Sequence, residues 1–216
     1  MRPKTKTISM EAADPNGIFL SATPGGAGEL AITGALATDG VATLDSHGWP
    51  RQVGITSAGD ETGVTFTITG QILKSGNYVT EVVAGLDTGV AVSVGHFYTV
   101  SSIVISGAGT GDIIIGTNGV GSTGWIPMDD RTDTFDVGIA VTVGAGTVNW
   151  TVQWTQGNVW DRDALNSSLV AFTDSAISAK AVDVDQALPN RCRAVRLQIN
   201  SGTDPATMYL TPAGVS

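Results

Sequence analysis

Apolar and polar residues alternate at a period of two along most of this chain. The clearest stretch runs from Phe135 to Trp154. Phe135, Val137, Ile139, Val141 and Val143 fall at every second position, and so do Val148, Trp150, Val152 and Trp154 after the Gly144-Ala145-Gly146 break. A strand turns successive side chains to opposite faces, so each arm has one apolar face. The other face carries Thr142, Thr147, Asn149, Thr151 and Gln153. Two such arms joined by a short glycine-containing link predict an antiparallel hairpin. Trp150 and Trp154 on one face supply a large part of the apolar area a core needs.

The same pattern, punctuated by Gly, Asn, Asp and Thr, predicts strands elsewhere. Ile8, Met10, Ile18 and Leu20 alternate in an N-terminal stretch that also holds Arg2, Lys4 and Lys6. This predicts an extended arm over residues 1–28, either solvated or adding as a strand to an acidic neighbouring subunit. Short strands are expected around Leu30, Ile32, Val41 and Leu44. A clearer series begins at Arg51–Ser57, turns at Ala58-Gly59-Asp60-Glu61 and continues through Val64, Phe66 and Ile68. Further strands are expected at Tyr78–Ala84, Val90–Val94, Phe97–Ile105, Asp112–Gly116, Arg193–Ile199 and Thr207–Thr211. The glycine-rich Gly107–Gly111 and Gly116–Gly124 read as turns, and 158–190 reads as a long loop with a helical turn. The expected fold is all-β: an antiparallel β-sandwich, jelly-roll-like, as one large or two small sandwiches. The boundaries implied are an arm over 1–28, a sandwich over 29–125, and a second sandwich or a continuation over 126–216.

Composition narrows the partners. Eleven basic against twenty acidic residues give a net charge of −9, which opposes binding to nucleic acid or anionic lipid through the overall field. Only 14% of residues are charged, against the roughly 25% usual for a soluble domain, so many outward strand faces must be neutral. No apolar run approaches the ~20 residues of a membrane helix, and no apolar region follows the basic N-terminal residues as it would in a signal peptide. The single cysteine, Cys192, leaves no intrachain disulfide and no multi-cysteine zinc site.

Candidate chemistry is sparse. Cys192 lies between Arg191 and Arg193, which could lower a thiol pKa, but its place at a strand entrance reads as a buried small residue. His47 and His96 each lie among glycine and apolar or aromatic neighbours and read as structural histidines, not as a base or metal ligand. No serine sits in a Gly-x-Ser-x-Gly elbow, and neither glycine-rich stretch carries the Lys-Ser/Thr of a phosphate loop. The acidic run Asp129-Asp130-Arg131-Thr132-Asp133-Thr134-Phe135-Asp136 is oxygen-rich enough for Ca²⁺ but lacks EF-hand spacing; Asp183 and Asp185 form a weaker pair. Of five tryptophans, Trp150 and Trp154 read as core; Trp125 carries no signal either way. Trp49 and Trp160 are the candidates for exposed rings that could stack on sugars. No catalytic, metal or cofactor residue is assigned, and the chain reads as a non-enzyme without cofactor.

A first segment holds Arg51–Gly70 with its Thr67-Ile68-Thr69-Gly70, then Glu81-Val82-Val83-Ala84-Gly85, then Tyr98-Thr99-Val100-Ser101-Ser102-Ile103. These resemble the T-x-T-G strand, E-x-V-x-G turn and K-T-V-x-S-I strand of structural proteins in tailed-bacteriophage virions, with Tyr98 departing from the basic residue common there. The second pairs Trp150-Thr151-Val152-Gln153-Trp154-Thr155 with Pro189–Ile199, similar to a Y-x-V-x-x-T … P-x-R-A-x-R-L ending. Together they cover roughly residues 51–106 and 147–211. The resemblance implies a virion component assembled in the host cytoplasm: a capsid decoration (cement) protein, homotrimeric, whose partner is the major capsid protein. A tail, neck or baseplate component of the same particles is the alternative, and a carbohydrate-binding host-adhesion module another. The family supplies no functional residue.

Overall fold

The computed structural model describes residues 3–72, 76, 78–128, 137–159, 169–188 and 191–212. The protein is nearly all-β, with 54% strand and 2% helix, as the alternation implies. It divides into two compact units: Ala12–Val120, and Met1–Glu11 together with Gly121–Ser216. The divisions fall after Glu11 and Val120, not at 28/29 and 125/126. The expected arm is therefore shared: its residues up to Glu11, with β1 (Lys4–Ile8), belong with the C-terminal residues, and those from Ala12 on belong to the central unit.

The central unit contains β2 (Phe19–Ala22), β3 (Gly28–Glu29), β4 (Ala37–Thr38), β5 (Val41–Thr43), β6 (Arg51–Asp60), β7 (Thr65–Gln71), β8 (Tyr78–Ala84), β9 (Asp87–Val92) and β10 (Thr99–Ile105). Most of β11 (Ile113–Ser122) belongs to it as well. One sheet has the order β4-β5-β10-β7-β8, with β3 also on β10; in the other, β6 lies between β11 and β9, and β2 adds to β11. Every pairing whose register is given is antiparallel. The inward positions of both sheets, among them Val53, Ile55, Phe66, Ile68, Ile103 and Ile115, form one buried cluster.

Beneath that cluster's rim lies a buried ion pair. Arg51 and Asp45 are both about 1% exposed, with Arg51 Nη1 3.9 Å from Asp45 Oδ2. The guanidinium also donates to two main-chain carbonyls, Nη1 to Ala12 O at 3.2 Å and Nη2 to Asn118 O at 2.5 Å. One side chain thus ties the first residue of the unit to its last strand.

The turn expected over Gly116–Gly124 is absent; β11 runs straight through to Ser122. The reason lies in close approach. A Cβ on Gly116 would stand 2.0 Å from Asp14 O, so glycine lets the 14–15 main chain lie against the strand, where Thr117 N donates to Asp14 O at 2.8 Å.

The second unit holds β1, β12 (Ile126–Pro127), β13 (Val137–Val143), β14 (Asn149–Thr155), a 3-10 turn at Ser175–Ile177, β15 (Val184–Ala187), β16 (Ala194–Ser201) and β17 (Ala206–Pro212). One sheet has the order β1-β17-β13-β15; the other sets β12 and β14 on β16. The predicted hairpin is corrected here. β13 pairs with β15 and β17, whereas β14 pairs with β16, so the two arms of Phe135–Trp154 stand in different sheets. Their link is pinned elsewhere, Gly144 N donating to Pro205 O at 2.9 Å, and Gly146 faces the Asp204 carboxylate with no room for a Cβ. Period-two alternation dictates which side chains are buried, and Val137, Ile139, Val141, Trp150, Val152 and Trp154 all are; it says nothing about which strand is the partner.

β1 pairs with β17 of its own chain, from Lys4↔Leu210 to Ile8↔Ala206. Residues directly opposite share a face, so Lys4 and Lys6 lie on the side of the buried Leu210 and Met208. Two lysines along this edge strand make it a poor template for further strands.

Candidate interaction surface

The sequence-level candidates scatter. Cys192 is buried, and burial pushes its thiol up to about 12, so the flanking arginines do not activate it. His47 is exposed, with Nδ1 3.3 Å from Asp45 Oδ1; His96 is buried in the same unit. Asp183 accepts from Val143 N at 2.9 Å, as a loop clamp does. Trp150 and Trp154 are buried, and Trp49 is half-buried beside the buried Pro50. Trp160 and the Asp129–Asp136 run lie outside the described residues. Among the described residues no three His, Cys, Asp or Glu side chains are placed to share a metal ion.

One polar array is present in the second unit. Asn149, Thr151 and Gln153 of β14 face Arg196, Gln198 and Asn200 of β16. Asn200 Nδ2 donates to Asn149 Oδ1 (2.6 Å) and Thr151 Oγ1 (2.9 Å), Gln198 Nε2 donates to Asn200 Oδ1 (2.8 Å), and Arg196 Nε donates to Gln153 Oε1 (2.7 Å). The guanidinium lies 4.6 Å from the Trp125 ring centre. Burial lowers the Arg196 pKa to about 10, which leaves it charged at neutral pH. Thr151 is buried and accepts from Ala179 N at 3.0 Å. These groups satisfy one another, so the array reads as sheet reinforcement.

The surface with spare capacity is on the central unit. The outward side of β8, β7 and β10 carries Tyr78, Thr80, Val82 and Ala84, then Thr65, Thr67, Thr69 and Gln71, then Thr99, Ser102 and Val104. All are exposed or half-buried, and none is charged. Thr69 and Thr80 hydroxyls lie 3.3 Å apart directly across the ladder. Phe66, Ile68, Val83, Ile103 and Ile105 take the opposite side and are buried, so alternation alone produces this neutral face.

Beside it lies β9. Val90 and Val92 are 49% and 44% exposed, and Val94 just beyond is 83% exposed. β9 pairs with β6 on one side, from Gly54↔Val92 to Asp60↔Asp87, and with no strand on the other among the described residues. Ser93 N donates to Val53 O at 2.9 Å, so the main chain of Ser93, Ala91 and Gly89 faces β6. The N–H and C=O groups of Val90 and Val92 therefore point away from the sheet. The open edge ends at Glu81, whose carboxylate accepts from Val94 N (2.5 Å) and Gly95 N (2.9 Å).

Glu61 organises the turn beside the Asp87 end of β9, where its N–H donates to Leu86 O at 2.9 Å. It is buried, and its carboxylate accepts from Ser57 Oγ at 2.9 Å, from Thr110 N at 3.0 Å and from Gly111 N at 3.1 Å. Burial alone would raise its pKa, but the hydrogen bonds from Ser57, Gly111 and Thr110 together outweigh it and hold the carboxyl below the usual range. The turn at 107–111, which sequence reading left without a role, is thus tied to the end of β6. Because the native pKa is lowered, the stabilisation is complete above the unfolded glutamate value of ~4.3 and is lost as pH falls through the lower native value. Glu61→Gln is expected to cost about 1–2 kcal/mol at pH 7. The gap between variant and wild type should close below about pH 4. Urea unfolding across pH 3–7 checks this; a gap independent of pH would mean that the charge is not what binds the turn.

No family model, no curated protein and no solved structure matches this chain.

Proposed function

We propose that this chain is a structural component of a tailed-bacteriophage virion, a decoration protein that bridges major capsid subunits as a homotrimer. The observation that carries the reading is the central unit's surface: an uncharged, hydroxyl-rich face on β7, β8 and β10, bordered by Glu29 of β3 and adjoining an uncapped valine edge. Such a surface offers contact area with little desolvation of charge, and symmetry multiplies modest contacts into firm attachment. The resemblance of 51–106 and 147–211 to virion proteins selects the particle, and the all-β architecture suits it.

The test is light scattering on the purified protein, followed by mixing with expanded capsids that lack it. A trimer that binds in fixed ratio and raises the temperature at which capsids rupture is the expected result. Absence of capsid binding overturns the decoration role. Binding to purified tails instead would favour the tail or neck component, and binding to glycans alone the adhesion module.

A further inference from the structure

We infer that β9 is a docking edge for an extended segment of a different polypeptide, apolar in its middle and basic at both ends, which adds antiparallel or parallel to Val90–Val92. This deepens the assembly reading and rests on it for the identity of the particle, but the edge assignment stands on its own geometry.

Three observations carry it. First, the edge is bare where another edge of the chain is guarded. β1 carries Lys4 and Lys6, whereas β9 presents Val90 and Val92 with no lysine or proline, a pattern that natural sheets avoid unless something covers it. Second, both ends are acidic. Asp60 and Asp87 stand directly opposite each other at one end, a like-charge pair that destabilises the ladder, and no ion pair is formed by either among the described residues. Thr62 donates to Asp60 through N–H and hydroxyl, which lowers its pKa and keeps it ionised. At the other end sits the Glu81 carboxylate, on Val94 N and Gly95 N. Third, the whole unit is acidic: residues 12–120 hold nine acidic side chains against two basic ones, a net −7.

The charges also argue against a second copy in this place. Pairing β9 with itself about Ala91 would set Val90 against Val92, the apolar register. It would also bring Asp87 opposite Gly95 of the other copy, where Glu81 sits. Each two-fold contact would then press like charges together twice. Of the chain's own basic segments, Lys4–Ile8 lacks an apolar middle and is already paired with β17, and Arg193–Arg196 is already held between β12 and β14. A foreign strand with lysine or arginine flanking small apolar residues meets both acidic ends and the valines between them.

The experiment uses the full chain and two labelled heptapeptides of alternating valine and threonine, one with lysine at both ends and one with glutamate. The lysine-flanked peptide should bind and slow amide exchange at Val90 and Val92. The glutamate-flanked one should bind at least about tenfold more weakly. Val92→Pro removes an outward donor at an edge position that tolerates proline, and should weaken binding at least about fivefold. Asp87→Lys, at an exposed strand end, should reverse the preference for peptide charge, and it keeps the test alive if Val92→Pro disturbs folding. Equal binding of both peptides, binding unchanged in both variants, or a dimer abolished by Val92→Pro would each overturn the proposal. Capsid mixing in parallel separates the two readings: capsid binding without peptide binding overturns the edge assignment, and peptide binding without capsid or tail binding overturns the virion assignment.

Discussion

Arg51→Ala is expected to lower the unfolding free energy of the central unit by about 3–5 kcal/mol, because it breaks a buried ion pair with Asp45 and removes the donors to two main-chain carbonyls. Arg51 and Asp45 are both essentially inaccessible. The guanidinium also donates to Ala12 O and Asn118 O, so its loss loosens the unit's first residue as well. Replacing both partners by apolar residues of similar volume, Arg51→Met with Asp45→Leu, should recover much of the loss, since the desolvation of both charges disappears with them. Hydrogen exchange localises the effect: amides of Val53 and Ile55 should exchange faster in the single variant, while those of Val152 and Leu197 in the other unit should not change. Uniform acceleration in both units would overturn the assignment to a local ion pair.

The second large effect is expected at Trp150. Its side chain is fully buried, and its indole Nε1 donates to Val182 O at 3.3 Å. Trp150→Ala opens a large cavity and should cost about 3–5 kcal/mol. Its main chain is also bridged to Lys180 in both directions, at 2.7 and 2.9 Å, so loosening the strand should expose the 172–180 segment to protease. Trp150→Phe keeps most of the apolar contact and should cost clearly less. Denaturant unfolding followed by circular dichroism measures both. Equal losses for the two substitutions would mean that the hydrogen bond, not the packing, is what matters.

The alternation that makes Trp150 and Trp154 legible as core residues is a local property, and the burial along β7 in one unit and β13 in the other follows it. Partner choice is not local. The Gly144–Gly146 link reads as a hairpin turn, yet it carries the chain from one sheet to another, because the contacts that fix it come from Asp204 and Pro205. β11 was obscured by glycines that serve close approach and not a turn. Asp39-Gly40 is the reverse case, a legible signal: both residues have positive φ (51° and 78°), as a two-residue turn between β4 and β5 requires. Of the interaction surface, the sequence makes visible the neutral threonines of β7 and the valines at 90, 92 and 94. That β9 has a bare side, and that Glu81 closes one end of it, depends on strand order, which no local pattern encodes. The buried roles of Glu61 and Arg51 were hidden for the same reason: their partners at Thr110, Gly111 and Asn118 lie about 50 to 67 residues away.

The pairing of β1 with β17 has a temporal consequence. Thr7 meets Thr207 across 200 residues of chain. At ~5–20 residues per second on the ribosome, the arm emerges about 10–40 s before its partner strand exists. The central unit, complete by Val120, is free to fold during that wait, and the second unit closes only afterwards. Through the interval Lys4 and Lys6 travel with the arm, and the charges that guard the finished edge also keep the nascent strand from settling on the wrong one.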